Sequence, residues 1–214
     1  MLAQLASSSL LDFPGFGGSA KPPEGWGTGE YADLVAEWMT SLPQQELVWI
    51  GHSFGGRVGI QLAARHPRLL AGMVLIASAG LQRRRSLPQR VRIALKRTAF
   101  KIARRFVKEG PQLDWLRQRF GSRDYRSAGA LRPILNRVVS EDLSDVARRV
   151  ECPTLLIYGT ADTETPPEMG ERLRSLIPKS ELAILNGFGH LSVLSEGRHQ
   201  VALRIRKFLE QLKQ

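Results

Sequence analysis

Gly51-His52-Ser53-Phe54-Gly55 is a G-x-S-x-G pentapeptide. A serine hydroxyl is a weak nucleophile until a base takes its proton, so the pattern carries chemistry only if a histidine and a carboxylate reach the same place. The pentapeptide follows the apolar run Leu47 to Ile50 and precedes the helix-like Gly56 to Arg65. That strand, turn and helix is the context in which a serine is lifted above a sheet. So sharp a turn strains the serine backbone and leaves no room for side chains beside it, so both neighbours are expected to need glycine. The following helix directs its N-terminus at the site and favours negative charge there.

Two further placements agree with the first. Asp162 ends Tyr158-Gly159-Thr160-Ala161-Asp162 after an apolar run, and His190 ends Gly187-Phe188-Gly189-His190 after a run closing at Leu185. Both fall at the C-terminal ends of predicted strands, the edge from which Ser53 emerges, in the chain order Ser, Asp, His. Plainer readings stand beside these. Ser53 could be a helix N-cap, though a cap needs no glycine on either side; Asp162 could be a turn residue, with Glu164 a rival carboxylate; His190 could be a structural loop histidine. His52 reads as filler in the turn, His66 as a helix end before Pro67 and His199 as part of a solvated helix face, and none is assigned a role.

These side chains need a scaffold. Leu47 to Gly51, Met73 to Ala77, Thr154 to Gly159 and Glu181 to Leu185 read as buried parallel strands. Helices are expected from Gly55 to His66, ended by Pro67, and from Pro167 to Leu176, ended by Pro178. Gln200 to Leu212 sets Val201, Ile205, Phe208, Leu209 and Leu212 on one face, which packs on the sheet. The fold class is therefore α/β, a mostly parallel sheet with helices on both faces. Leu81 to Ser140 breaks the alternation and reads as a helical insert, giving a core of residues 1–80 and 141–214 and an insert of residues 81–140.

The chain of 214 residues suits one domain with an insert, and its Lys and Arg outnumber its Asp and Glu by 31 to 20. Arg83 to Lys108 holds 11 of the cations and no anion, which leaves 20 of each sign elsewhere. Val91, Leu95, Phe100, Ile102 and Phe106 recur among those arginines at near-helical spacing, an amphipathic basic helix. Such a helix can lie on an anionic membrane or attract acidic substrates, or it can be a solvated helix whose exposed face is cationic. No nucleic-acid motif accompanies it. Trp115, Phe120 and Tyr125 could line an acyl pocket or anchor the insert. Gly17-Gly18-Ser19 lacks the ending of a phosphate loop. The single cysteine, Cys152, allows no intramolecular disulfide and no cysteine-rich metal site, and reads as a small buried hydrophobe. No metal or cofactor is expected. Without a signal peptide or a run of eighteen apolar residues, the expected location is cytoplasmic.

Asp12-Phe13-Pro14-Gly15-Phe16-Gly17-Gly18-Ser19, the Gly51 to Gly56 turn, the strand leading to Asp162 and Gly189-His190 together resemble the α/β-hydrolase superfamily, over nearly the whole chain. The resemblance implies an α/β-hydrolase fold, here N-terminally shortened, with residues 81–140 as its helical cap. It implies Ser53 as nucleophile, His190 as general base and Asp162 as the carboxylate behind it, with the Phe54 backbone N–H as one oxyanion donor and a small acyl compound as substrate. A serine rather than an aspartate at the turn directs the expectation away from epoxide and halide chemistry. It leaves ester, thioester, amide or carbon–carbon hydrolysis and perhydrolysis. Family members carry further strands and a His-Gly turn before the D-x-P-G loop, whereas only eleven residues precede Asp12 here. Met1 to Ala6 then correspond to the last turn of a helix and Ser9 to Leu11 to a shortened strand, and the expectation is a chain that begins upstream of Met1. The alternatives are a strand that slides into the gap, or a non-catalytic relative that binds a ligand, partner or anionic membrane through residues 83–108.

Overall fold

Four apolar runs form the strands β1 (Val48–His52), β2 (Gly72–Ile76), β3 (Thr154–Gly159) and β4 (Ser180–Leu185), which pair in parallel in the order β1-β2-β3-β4. The computed structural model describes residues 6–43, 46–83, 88, 91, 94–95, 98–100, 102, 105 and 131–214. The described residues divide into two compact units, residues 1–82 with 140–214 and residues 83–139.

In the first unit every residue of β2 and β3 is buried, as a parallel sheet covered on both faces requires. Alternate side chains serve the two faces. On one, Val74, Ile76, Leu155, Ile157, Ala183 and Leu185 meet Val201, Ile205 and Phe208 of the terminal helix α7 (Arg198–Gln211). On the other, α2 (Phe54–Arg65) lies against Trp49 and Met73 at Gly59, and α5 (Pro167–Leu176) lies against Tyr158 and Leu182 at Gly170. At both points glycine lets the helix backbone sit close to the sheet. The short helices α4 (Ser144–Ala147) and α6 (Ser192–Ser195) complete this unit.

The four expected parallel strands and the helices expected from Gly55, Pro167 and Gln200 are present with ends moved by at most two residues, and the first unit adds three helices that the sequence reading leaves unassigned, α1 (Thr28–Thr40), α4 and α6. Helix α1 buries Tyr31, Ala32, Val35, Ala36 and Met39 against α2. Its start is held by the Glu30 carboxylate, which accepts the Gly27 N–H at 2.7 Å, and by Glu141, which accepts the Thr28 N–H at 3.1 Å and its hydroxyl. Ser9 to Leu11 form no strand, and Leu10 is 94% exposed. Three residues running into the turn at Pro14 make too few ladder bonds to hold one. Among the described residues β1 pairs with β2 alone. Apart from Ala6, the helical turn expected over Met1 to Ala6 lies outside the described residues.

In the second unit, helix α3 (Arg132–Ser140) buries Ile134 and Val138. Val91, Leu95 and Ile102 are helical and more than half exposed, and Phe100 is half-buried. Phe106, Trp115, Phe120 and Tyr125 lie outside the described residues.

Candidate active site

Ser53 stands between β1 and α2 with φ +50° and ψ −104°, a left-handed backbone that a non-glycine residue adopts at a cost of about 1–3 kcal/mol. Its N–H donates to Ile76 O at 3.1 Å, which ties the turn to β2. The glycines around it are not equivalent. A Cβ on Gly51 would lie 2.3 Å from the Gly55 carbonyl oxygen, and one on Gly56 would lie 2.1 Å from Ser78 Oγ. A Cβ on Gly55 would meet nothing within 4 Å. The expectation that both neighbours of the serine lack room therefore holds for Gly51 and fails for Gly55; the second tight position is Gly56, where the helix passes β2's outgoing chain.

Asp162 and His190 reach Ser53 from the ends of β3 and β4. A turn after β3 buries the Asp162 side chain completely and surrounds it with donors. Its Oδ1 accepts the N–H of Glu164 at 2.7 Å and of Thr165 at 2.9 Å; its Oδ2 accepts the Thr165 hydroxyl at 2.7 Å and faces His190 Nδ1 at 2.8 Å. Burial pushes this carboxyl up, but the Thr165 amide, the His190 ring, the Thr165 hydroxyl and the Glu164 amide together hold it below the ordinary carboxylate value. An ionised carboxylate only accepts, so Nδ1 carries the imidazole proton and Nε2 presents its lone pair. Ser53 Oγ lies 2.9 Å from that Nε2. The His190 loop is drawn against β3 at Gly159, where a Cβ would lie 2.1 Å from the Phe188 carbonyl oxygen. Ala161 N–H donates to the same oxygen at 3.0 Å.

Several neighbours carry more than the sequence reading gave them. Thr165 is buried, and its hydroxyl lies 3.0 Å from Ala77 O and 3.1 Å from His190 Nδ1 besides touching Asp162. His52 Nε2–H donates to the backbone carbonyl of His190 at 2.9 Å, and burial holds its imidazole below the usual histidine value, neutral and suited to that bond. Glu164 is not a rival for Asp162's place, since its carboxylate lies 3.6 Å from Nε2, on the serine side of the ring. His66 bonds Asp33 at 2.9 Å, and His199 is exposed beside Arg198.

Phe54, the first residue of α2, has an N–H with no partner inside the helix. Its ring stacks on Phe16 at 5.4 Å and meets Phe13 and Tyr31 edge-on at 5.6 and 5.2 Å. The loop that supplies those phenylalanines is shaped by Asp12, whose carboxylate accepts the Gly18 N–H at 3.2 Å. Gly17 is required there, because its φ is +52° and a Cβ would lie 2.1 Å from the same carboxylate. Among the described residues no cluster of three or more His, Cys, Asp or Glu side chains could hold a metal ion, and no helix is long and apolar enough to cross a membrane.

Residues 2–204 match the family model described as "Alpha/beta hydrolase family". The chain is 29% identical to a pimeloyl-[acyl-carrier protein] methyl ester esterase of Neisseria meningitidis over 94% of its own length and 82% of that protein. Among solved structures it is similar to a bacterial membrane phospholipase A, with 25% identity, TM-score 0.68 and coverage of 94% of this chain and 69% of that one. A hydrolase from Pseudomonas aeruginosa gives 25% identity and TM-score 0.63, covering 92% of this chain and 77% of that one.

Proposed function

The chain belongs to the alpha/beta hydrolase family and is a hydrolase, and from that premise we propose that it cleaves carboxylic esters through Ser53, His190 and Asp162 by way of an acyl-enzyme. The observation that carries this reading is the continuous chain Ser53 Oγ to His190 Nε2 at 2.9 Å and His190 Nδ1 to Asp162 Oδ2 at 2.8 Å. His190 Nε2 takes the Ser53 proton as Oγ attacks the carbonyl carbon, and Asp162 stabilises the imidazolium so formed. The negative charge that develops on the carbonyl oxygen is met by the Phe54 N–H at the positive end of α2. His190 then gives its proton to the departing alcohol, and water enters by the same steps to release the acid. The named activities of the methyl ester esterase and the phospholipase support a carboxylic ester as the bond cleaved. Residues 81–140 act in this proposal as a helical cap insert that sets which acyl compound is accepted.

The test is hydrolysis of short p-nitrophenyl esters by purified protein, with Ser53→Ala, His190→Ala and Asp162→Asn as controls. Activity that falls at least about a thousandfold in the first two variants is expected. Hydrolysis that persists in Ser53→Ala contradicts the proposal.

A second role is favoured by Val91, Leu95 and Ile102, apolar side chains that are 57%, 66% and 56% exposed within a segment rich in arginine. We propose that residues 83–108 also contact anionic membranes. Co-sedimentation with phosphatidylglycerol vesicles but not phosphatidylcholine vesicles, abolished by Leu95→Asn, is the expected result; equal binding to both contradicts it.

A further inference from the structure

We infer that Glu164 forms an anionic subsite for the leaving group, which makes the site prefer esters of amino alcohols over esters of neutral or acidic alcohols; this rests on the hydrolase reading above. In that mechanism the departing oxygen must come within about 2.6–3.2 Å of His190 Nε2 to receive its proton. Glu164 Oε2 lies 3.6 Å from the same nitrogen. The two oxygens are therefore at most about 7 Å apart, a gap that a two-carbon amino alcohol bridges with its ammonium group.

The carboxylate is placed to act on a ligand rather than on the protein. The inner side of the imidazole is already taken by Asp162 and Thr165, so Glu164 adds nothing to ring orientation that those two bonds do not supply. Its side chain is 60% exposed, while the ring it faces is 10% exposed, so it stands on the solvent side of the reacting atoms. Among the described residues no lysine or arginine pairs with it, in a chain whose net charge is +11. The backbone N–H of Glu164 is held by Asp162 Oδ1 at 2.7 Å, which fixes where its side chain starts. The carboxylate thus meets a cationic leaving group with attraction and an anionic one with repulsion, on the order of three- to tenfold each at a partly exposed site.

The experiment compares butyrylthiocholine with its uncharged isostere, S-(3,3-dimethylbutyl) thiobutyrate, following thiol release by the wild type, Glu164→Gln and Glu164→Lys. The ratio of kcat/KM for the cation over the isostere is about three to ten in the wild type. It falls to about one in Glu164→Gln and below one in Glu164→Lys. The difference lies in KM rather than kcat, because the attraction is equal before and during the reaction, and it shrinks as salt is raised. Using one ratio within each variant removes any general loss of activity. p-Nitrophenyl butyrate separates the two levels of failure. If the wild type cleaves it but the thioester ratio does not respond to residue 164, or neither thioester is cleaved, the Glu164 inference is overturned and the hydrolase reading stands. If the wild type cleaves none of the three, both fall.

Discussion

Thr165→Val removes one hydroxyl and keeps the shape of the side chain, so it isolates what the bonds around Asp162 contribute. The hydroxyl lies 2.7 Å from Asp162 Oδ2 and 3.0 Å from Ala77 O, in a residue that is 4% exposed. A hydrogen bond to a buried carboxylate contributes about 1.5–3 kcal/mol. For a chain of this size a loss of about 2 kcal/mol lowers Tm by roughly 4–8 °C. The pH dependence gives a second readout. The folded-state carboxyl of Asp162 is held below its ordinary value, so its contribution is present above the unfolded carboxylate pKa of about 3.9 and is lost as pH falls through the folded value. With one donor fewer the folded value rises, so the gap in stability between wild type and Thr165→Val is full at neutral pH and narrows below about pH 4. Urea titrations at pH 7 and near pH 3 measure it, with Thr165→Ser as the control that keeps the hydroxyl. The ester hydrolysis rate falls by up to about tenfold, because the Glu164 and Thr165 amides and the His190 ring still hold Asp162. A destabilisation equal at both pH values, or none, refutes the assignment of the hydroxyl to Asp162.

The two neighbours of Ser53 separate cleanly. Gly51→Ala drives a Cβ to 2.3 Å from a backbone oxygen and costs about 3 kcal/mol or more, while Gly55→Ala meets open space and gains about 0.5–1 kcal/mol of helix propensity; thermal melts distinguish them. Tyr158→Phe deletes a buried donor 2.7 Å from Ser78 O and leaves that carbonyl unpaired, so chemical denaturation is expected to show a loss of about 1–3 kcal/mol.

The sheet was legible because a strand covered on both faces leaves no room for polar side chains. Met73 to Ile76 and Leu155 to Tyr158 announce themselves as unbroken apolar runs. The positions of Ser53, Asp162 and His190 were legible for a related reason, since each closes or follows such a run and parallel strands gather their C-terminal ends at one edge. Helix α1 is also legible, as Tyr31, Ala32, Val35, Ala36 and Met39 repeat at helical spacing. What the chain could not disclose were partners distant in sequence. His52 meets a carbonyl 138 residues away and Thr165 meets Ala77 across 88, and nothing local marks either contact. Glu164 reads in the sequence as a rival carboxylate, whereas its side chain lies beside His190 Nε2, because spacing from Asp162 does not say which way a side chain leaves a turn. The open space at Gly55 was hidden likewise, since room beside a glycine depends on what packs there.

Reaction with a fluorophosphonate, followed by mass spectrometry of the peptide that carries the adduct, tests most directly whether Ser53 is an activated nucleophile. A single adduct on Ser53, absent in Ser53→Ala and strongly slowed in His190→Ala, is the expected result. Folded protein that takes up no adduct, or takes it up at another residue with equal rate in both variants, contradicts the account.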